Sequence, residues 1–132
     1  YCWRTDTVDA VNDSVEPPNS HDLTPPRLTW WDHKGTKEWV QYDWPEPVTL
    51  SSSEVYWFDD RATGGCRVPA SWQLLYCEGD QWRPVRLKDT RYGLDLDRYN
   101  SVAFEPVTTR ALRLEVQLQD KWSGGLLEWK VK

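Results

Sequence analysis

The sequence predicts an all-β protein, an antiparallel β-sandwich or jelly roll, on three observations. Apolar and polar residues alternate with period two in short runs, most cleanly over residues 110–118, where Leu112, Leu114, Val116 and Leu118 share one face. Pro- and Gly-containing turns separate these runs, and about eight short strands fit the chain. Ten Trp and six Tyr stand against no Met, and helix-forming runs are few. At 132 residues the chain is long enough for one domain, residues 1–132, with a sizeable core.

In order, residues 1–4 read as a first strand and residues 5–28 as a long polar loop, stiffened by Pro17-Pro18 and Pro25-Pro26. Residues 38–44 alternate, with Val40, Tyr42 and Trp44 on one face and Trp39, Gln41 and Asp43 on the other; Pro45 is expected to end this strand. A short run at 48–50 follows. Residues 53–58 form the next strand, and the unbroken apolar run 55–58 predicts cover on both its faces. The loop 59–71 contains Gly64-Gly65, which allow left-handed backbone, and Pro69, which blocks a ladder bond.

Trp72, Leu74 and Tyr76 alternate in a strand that enters a hairpin turn at Glu78-Gly79-Asp80 and returns over residues 82–85. Residues 86–99 are less regular. Val102 and Phe104 mark a strand closed by Pro106, and the strand 110–118 follows. Residues 119–125 form a loop tipped by Trp122 and ended by Gly124-Gly125, after which Leu127, Trp129 and Val131 make the last strand. Trp39, Trp57, Trp72 and Trp129, each inside a strand pattern, are expected in the core, as is Trp30.

The totals exclude several classes. A net charge of -5 and a pI near 5.0 supply no basic footprint for nucleic acid and no polybasic patch for an anionic membrane. No apolar run approaches the ~20 residues of a membrane span. The chain opens at Tyr1 without a signal-peptide pattern, which suggests an excised or processed module. Cys2, Cys66 and Cys77 contain no Cys-x-x-Cys spacing, so no zinc site is indicated. Cys77 is expected as a small buried hydrophobe, and Cys2 with Cys66 is the pairing to test.

Asn12-Asp13, Thr29-Trp30, the run 38–43, Ser71-Trp72-Gln73-Leu74-Leu75-Tyr76 with Glu78-Gly79-Asp80-Gln81-Trp82, the run 109–114 and Leu127-Glu128-Trp129 occur in an order that resembles the discoidin, or factor 5/8 type C, family. The likeness is to its sugar-binding branch, carbohydrate-binding module family 32. A closer resemblance is to the C-terminal β-sandwich module of bacterial β-L-arabinofuranosidase-type glycoside hydrolases of families 127 and 146. It rests on the run 26–36, on Glu54-Val55-Tyr56-Trp57-Phe58-Asp59-Asp60 and on Gly64-Gly65-Cys66-Arg67-Val68-Pro69. The chain departs from the usual pattern at Asn12-Asp13-Ser14, where Asp-Gly is common, and at Trp44, where a Leu-Gly pair is.

The resemblance implies a galactose-binding-like jelly roll that holds sugar at loop tips, with one structural calcium ion. It implies a secreted or periplasmic bacterial location, a catalytic glycoside hydrolase domain in the same parent chain, and a plant-cell-wall glycan of arabinose or galactose type as partner.

Sugar rings offer apolar C–H faces and hydroxyl edges, so their sites want an aromatic platform flanked by charged or amide groups. Three loops carry that chemistry: Trp31, Asp32 and His33; Asp59, Asp60, Arg61 and Arg67; and Trp122. By the resemblance these loops meet at one end, with Trp31 and Trp122 as platforms. His33 could equally bond a local group, Asp59-Asp60 could only cap their loop, and Arg67 could be their ion-pair partner. Calcium prefers oxygen ligands, and the resemblance gives it Asp13, Thr29 and Glu128.

Catalysis is not expected: there are two His, no Ser or Cys in a nucleophile context, and the adjacent Asp59 and Asp60 would project to opposite sides of an extended chain. The expected function is a non-catalytic carbohydrate-binding module. The alternative is a structural, protein-binding or phospholipid-binding discoidin-like domain without sugar binding.

Overall fold

A computed structural model describes Ser20 and residues 28–31, 33–61 and 64–132. The expected strand at residues 1–4, and the Cys2 half of the Cys2–Cys66 pairing, lie outside the described residues. The described chain is all-β, with strands β1 (Leu28–Thr29), β2 (Lys37–Phe58), β3 (Ser71–Glu78), β4 (Gln81–Pro84), β5 (Tyr99–Gln117) and β6 (Gly125–Val131). Every strand pairing is antiparallel, in the order β1-β6-β2-β5-β3-β4.

Two long strands turn this ladder into a sandwich. The first half of β2 (residues 37–43) pairs with the second half of β5 (111–117), which carries β3 and then β4. The second half of β2 (48–58) pairs with the first half of β5 and, on its other edge, with β6. Register shifts at Asp43/Val48 and Leu50/Ser52 mark the bend between the two halves. The chain therefore does not stop at Pro45 as the sequence predicts. Pro45 and Pro47 fall inside the first shift, where β2 passes from one layer to the other and a missing N–H breaks no ladder bond. In the same way Pro106 lies within β5.

Apolar residues from both layers meet between them: Val40, Trp72, Leu74, Leu112, Leu114 and Val116 against Val55, Trp57, Val102, Phe104, Leu126 and Trp129. The buried indoles satisfy their N–H groups. Trp57 and Trp72, edge to face at 5.3 Å, both donate to the Gly93 carbonyl (3.2 and 2.8 Å), and Trp129 donates to Ser53 Oγ (2.8 Å). The irregular stretch before β5 is thus tied to the core through one carbonyl. Tyr42 stacks on Trp129 at 4.4 Å.

The run 55–58 is covered on both faces, as its unbroken apolarity predicts. Val55 and Trp57 enter the main core, while Tyr56 and Phe58 form a second cluster with Cys66 and Leu127. Gly79, at φ +62°, opens the two-residue turn between β3 and β4. Two expectations fail. Trp39 is not in the core but 52% exposed, because its parity in β2 puts it beside Gln41 and Asp43 on the solvent face. Cys77 is half-buried rather than buried, its Sγ donating to the Gly79 carbonyl at 3.3 Å near the hairpin tip.

Candidate functional site

Three loops meet at one end of the sandwich. The segment before β2 is held to the segment before β6 by Trp30 N–H to the Gly124 carbonyl (2.9 Å) and Gly35 N–H to the Gln119 carbonyl (3.0 Å). Gly35 sits at φ +66°, and a Cβ there would stand 3.1 Å from the Asp120 carbonyl, so this approach requires glycine. The loop after β2 joins them through Ser123 N–H to the Gly65 carbonyl (2.9 Å) and Arg67 N–H to the Ser123 carbonyl (3.0 Å). The three segments expected to supply site residues are therefore bonded to one another.

The acidic pair builds the middle loop. Asp59 is 2% exposed; Arg61 Nε and Nη2 grip its two oxygens at 2.9 and 2.8 Å, and the Arg61 and Val68 N–H groups add bonds of 3.1 Å each. Burial by itself raises the Asp59 pKa, but these donors and the Arg61 charge outweigh it and hold the carboxyl below its ordinary value. Its oxygens are committed to the loop, so Asp59 departs from the expected hydroxyl-binding role. Asp60 turns elsewhere: its Oδ1 accepts the Cys66 N–H at 2.7 Å and faces Arg67 Nη1 at 3.8 Å. The two carboxylates do not converge on a common point.

Arg67 is likewise framed by the loop. Nη1 donates to the Gly64 and Cys66 carbonyls (both 2.9 Å) and Nη2 to the Arg61 carbonyl (3.3 Å). Its Cζ lies over the Trp122 ring, 3.9 Å from the centroid. One face of the indole rests on the guanidinium, and the residue is 37% exposed. The glycines here serve space rather than left-handed backbone: neither Gly64 nor Gly65 has positive φ, but a Cβ would meet Asp60 at the first and Trp31, at 2.4 Å, at the second.

Trp31 is half-buried, packed on the second cluster, with Lys34 Nζ 5.5 Å from its centroid. His33 is exposed; its Nδ1 meets Glu38 Oε1 at 2.6 Å, which also accepts from Thr36 Oγ1 at 2.8 Å. Nε2 has no partner among the described residues. Trp31, His33, Asp60, Arg67 and Trp122 thus sit on three interlocked loops, with Asp59 beneath them, while Asp32 lies outside the described residues.

Of the expected calcium ligands, Asp13 lies outside the described residues. Thr29, 3% exposed, and Glu128, 1% exposed, are on the paired strands β1 and β6. Both offer hard oxygen donors suited to calcium. No cluster of three or more His, Cys, Asp or Glu side chains able to hold a metal occurs among the described residues.

The architecture is an antiparallel β-sandwich, a fold it shares with solved carbohydrate-binding modules. No protein-family profile matches the chain. Solved structures similar to it include one from work on the Streptococcus pneumoniae β-galactosidase BgaA, with a TM-score of 0.75 at 17% identity over 98% of this chain and 86% of that one. A family 32 module from a family 31 glycoside hydrolase of Clostridium perfringens gives a TM-score of 0.71 at 11% identity, covering 98% and 87%. The family 32 module of C. perfringens NanJ, solved with galactose, gives 0.67 at 10% identity, covering 98% and 87%.

Proposed function

We propose that residues 1–132 form a non-catalytic carbohydrate-binding module of a secreted or periplasmic bacterial glycoside hydrolase, which binds plant-cell-wall sugar of the arabinose or galactose type at the loop end. The observation that carries this reading is Trp122, braced on one face by Arg67 and exposed at the point where three loops interlock. A sugar stacks its C–H face on Trp122, with Trp31 as the flanking aromatic. His33 and the rim around Asp60 and Arg67 meet its hydroxyls. Asp59 and Arg61 hold the middle loop in shape. The galactose bound by the similar NanJ module supports a sugar of this size and polarity. Binding keeps an attached catalytic domain near its substrate and raises its effective concentration there.

A structural calcium ion, held by Asp13, Thr29 and Glu128, belongs to the same proposal. It would stabilise the strands that flank the loop end.

Isothermal titration with L-arabinose, D-galactose, L-rhamnose and arabinose-containing oligosaccharides, together with thermal melting, each in calcium and after chelation, tests both parts. Saturable heat that Trp122→Ala or Trp31→Ala abolishes is the expected result. A folded protein giving no heat with any of these sugars overturns the sugar reading in favour of a structural or protein-binding domain. A melting temperature unmoved by chelation overturns the calcium assignment.

A further inference from the structure

The solvent face of the layer formed by β2, β5, β3 and β4 carries a second aromatic construction, built on strands rather than on the loops of the first site. Trp39 on β2 and Trp82 on β4 flank Arg113 on β5, whose Cζ lies 4.2 Å from one ring centroid and 4.1 Å from the other. Arg113 is fixed there by Nε and Nη2, which both donate to Gln41 Oε1 at 3.0 and 2.9 Å, and Gln41 Nε2 in turn donates to Asp43 Oδ1 at 2.8 Å. This leaves Arg113 Nη1 with no acceptor among the described residues. In the neighbouring row Trp39 stands opposite Glu115 and Glu115 opposite Gln73, with Gln73 Nε2 donating to Glu115 Oε1 at 3.0 Å. A cleft of about 430 Å³ opens beside this row, lined by Lys37, Ser71, Gln73, Glu115 and Gln117 among others.

We propose that this face, centred on Trp39, Arg113 and Trp82, is a second carbohydrate-binding surface that takes an extended, uncharged polysaccharide chain. The two rings and the guanidinium form a ladder across the strands that cross-bracing holds rigid before any ligand arrives, which lowers the entropy cost of binding. Trp39, 52% exposed, leaves much of its indole in water, as a stacking platform requires. Arg113 Nη1 and the amide and carboxylate groups of Gln73 and Glu115 lie around it as hydroxyl partners, and the cleft prolongs the surface along one direction.

Charge selects a neutral ligand. On this face Lys37 and Arg113 are matched by Asp43 and Glu115, with Lys37 Nζ 3.8 Å from Glu115 Oε1, so no uncompensated charge attracts a uronate or an amino sugar. A stable protein partner buries about 800 Å² on each side around an apolar centre. Here a guanidinium separates the indoles and amides surround them. No residue is a sugar contact of both surfaces, so each can be tested by its own substitution.

Affinity electrophoresis in native gels containing arabinan, β-1,4-galactan, xyloglucan or polygalacturonate distinguishes the two sites. The full chain should be retarded by at least one of the three neutral polymers, and Trp39→Ala should weaken that retardation about tenfold, the loss of one stacking contact. Arg113→Lys, which keeps the charge but not the planar fork, should weaken it in the same direction. Monosaccharide titration should be unchanged by either substitution and abolished by Trp122→Ala. Retardation that Trp39→Ala leaves intact in a folded protein, retardation by polygalacturonate alone, or none by any polymer while monosaccharides still bind, overturns the proposal. Loss of monosaccharide heat with polymer retardation retained overturns the loop-end reading and leaves this one standing.

Discussion

Arg67 and Trp122 form one unit: the guanidinium lies 3.9 Å from the indole centroid while Nη1 and Nη2 donate to the carbonyls of Arg61, Gly64 and Cys66. The arginine ties the middle loop together and sets the angle at which the last loop presents its ring. Arg67→Lys keeps a charge but cannot reproduce three carbonyl bonds and a stacked plane. We expect it to destabilise the fold by about 1–3 kcal/mol and to weaken sugar binding as well, read by thermal melting and titration together.

The two classes of Trp should separate cleanly on substitution. Trp129→Ala empties a buried indole site and leaves Ser53 Oγ only its bond to the Lys130 carbonyl, at a cost of about 3–5 kcal/mol. Trp122→Ala removes a ring that touches one arginine at the surface, at a cost of about 1 kcal/mol or less. Denaturant melts of both variants check the contrast, and a large loss from Trp122→Ala would place that ring in the framework rather than at a binding surface.

Gly65→Ala tests the seat of Trp31 without touching the ring. The added methyl would arrive 2.4 Å from Trp31 Cζ3, so the indole must swing away. Sugar titration should weaken while the melting temperature changes by only a few degrees. Unchanged titration would remove Trp31 from the site.

The loop end should loosen in acid. The folded-state pKa of Asp59 lies below the unfolded value near ~4. Its contribution to stability is therefore complete above that value and is lost as pH falls through the folded pKa. Asp59→Asn should lower stability at neutral pH and flatten the fall in melting temperature below about pH 4.

Base should act on a different pair. Burial raises the pKa of Tyr56, with the Asp97 charge adding to it, and burial raises that of Tyr92 against the Leu74 N–H bond that lowers it. Their contribution is complete below the unfolded value near ~10 and is lost as pH rises through the folded values. Melting temperatures at about pH 9 and pH 11 should show the fall, and Tyr92→Phe should reduce it.

How far the sequence disclosed this molecule depended on the scale of the signal. Residues 110–118 alternate so regularly that their inward face, Leu112 to Leu118, could be assigned from period alone, and the run 55–58 announced cover on both faces. Trp39 departs from the core its size suggests because parity outweighs size: it shares a face with Gln41 and Asp43, and that face is in water. Pro45 reads as a break in the sequence because the bend of β2, where the ladder is already interrupted, depends on partners 60 or more residues away. A capping role for Asp59 is among the readings the sequence offers, but its partner Arg61 is not, since short-range side-chain grips inside a loop leave no periodic trace. The meeting of the three loops followed from a resemblance, not from any pattern in the residues.

The unbroken course of β2 through both layers also bears on how the chain reaches its fold. Lys37 finds its partner in Gln117 and Val55 in Trp129, so the central strand can acquire neither neighbour until the last third of the chain is made. Pairings of such long range put folding toward the slow end for small domains, on the order of milliseconds to seconds. During synthesis Val55, Tyr56, Trp57 and Phe58 would stay without strand partners while the ribosome adds some forty residues or more. That stretch is the segment a chaperone would have to shield.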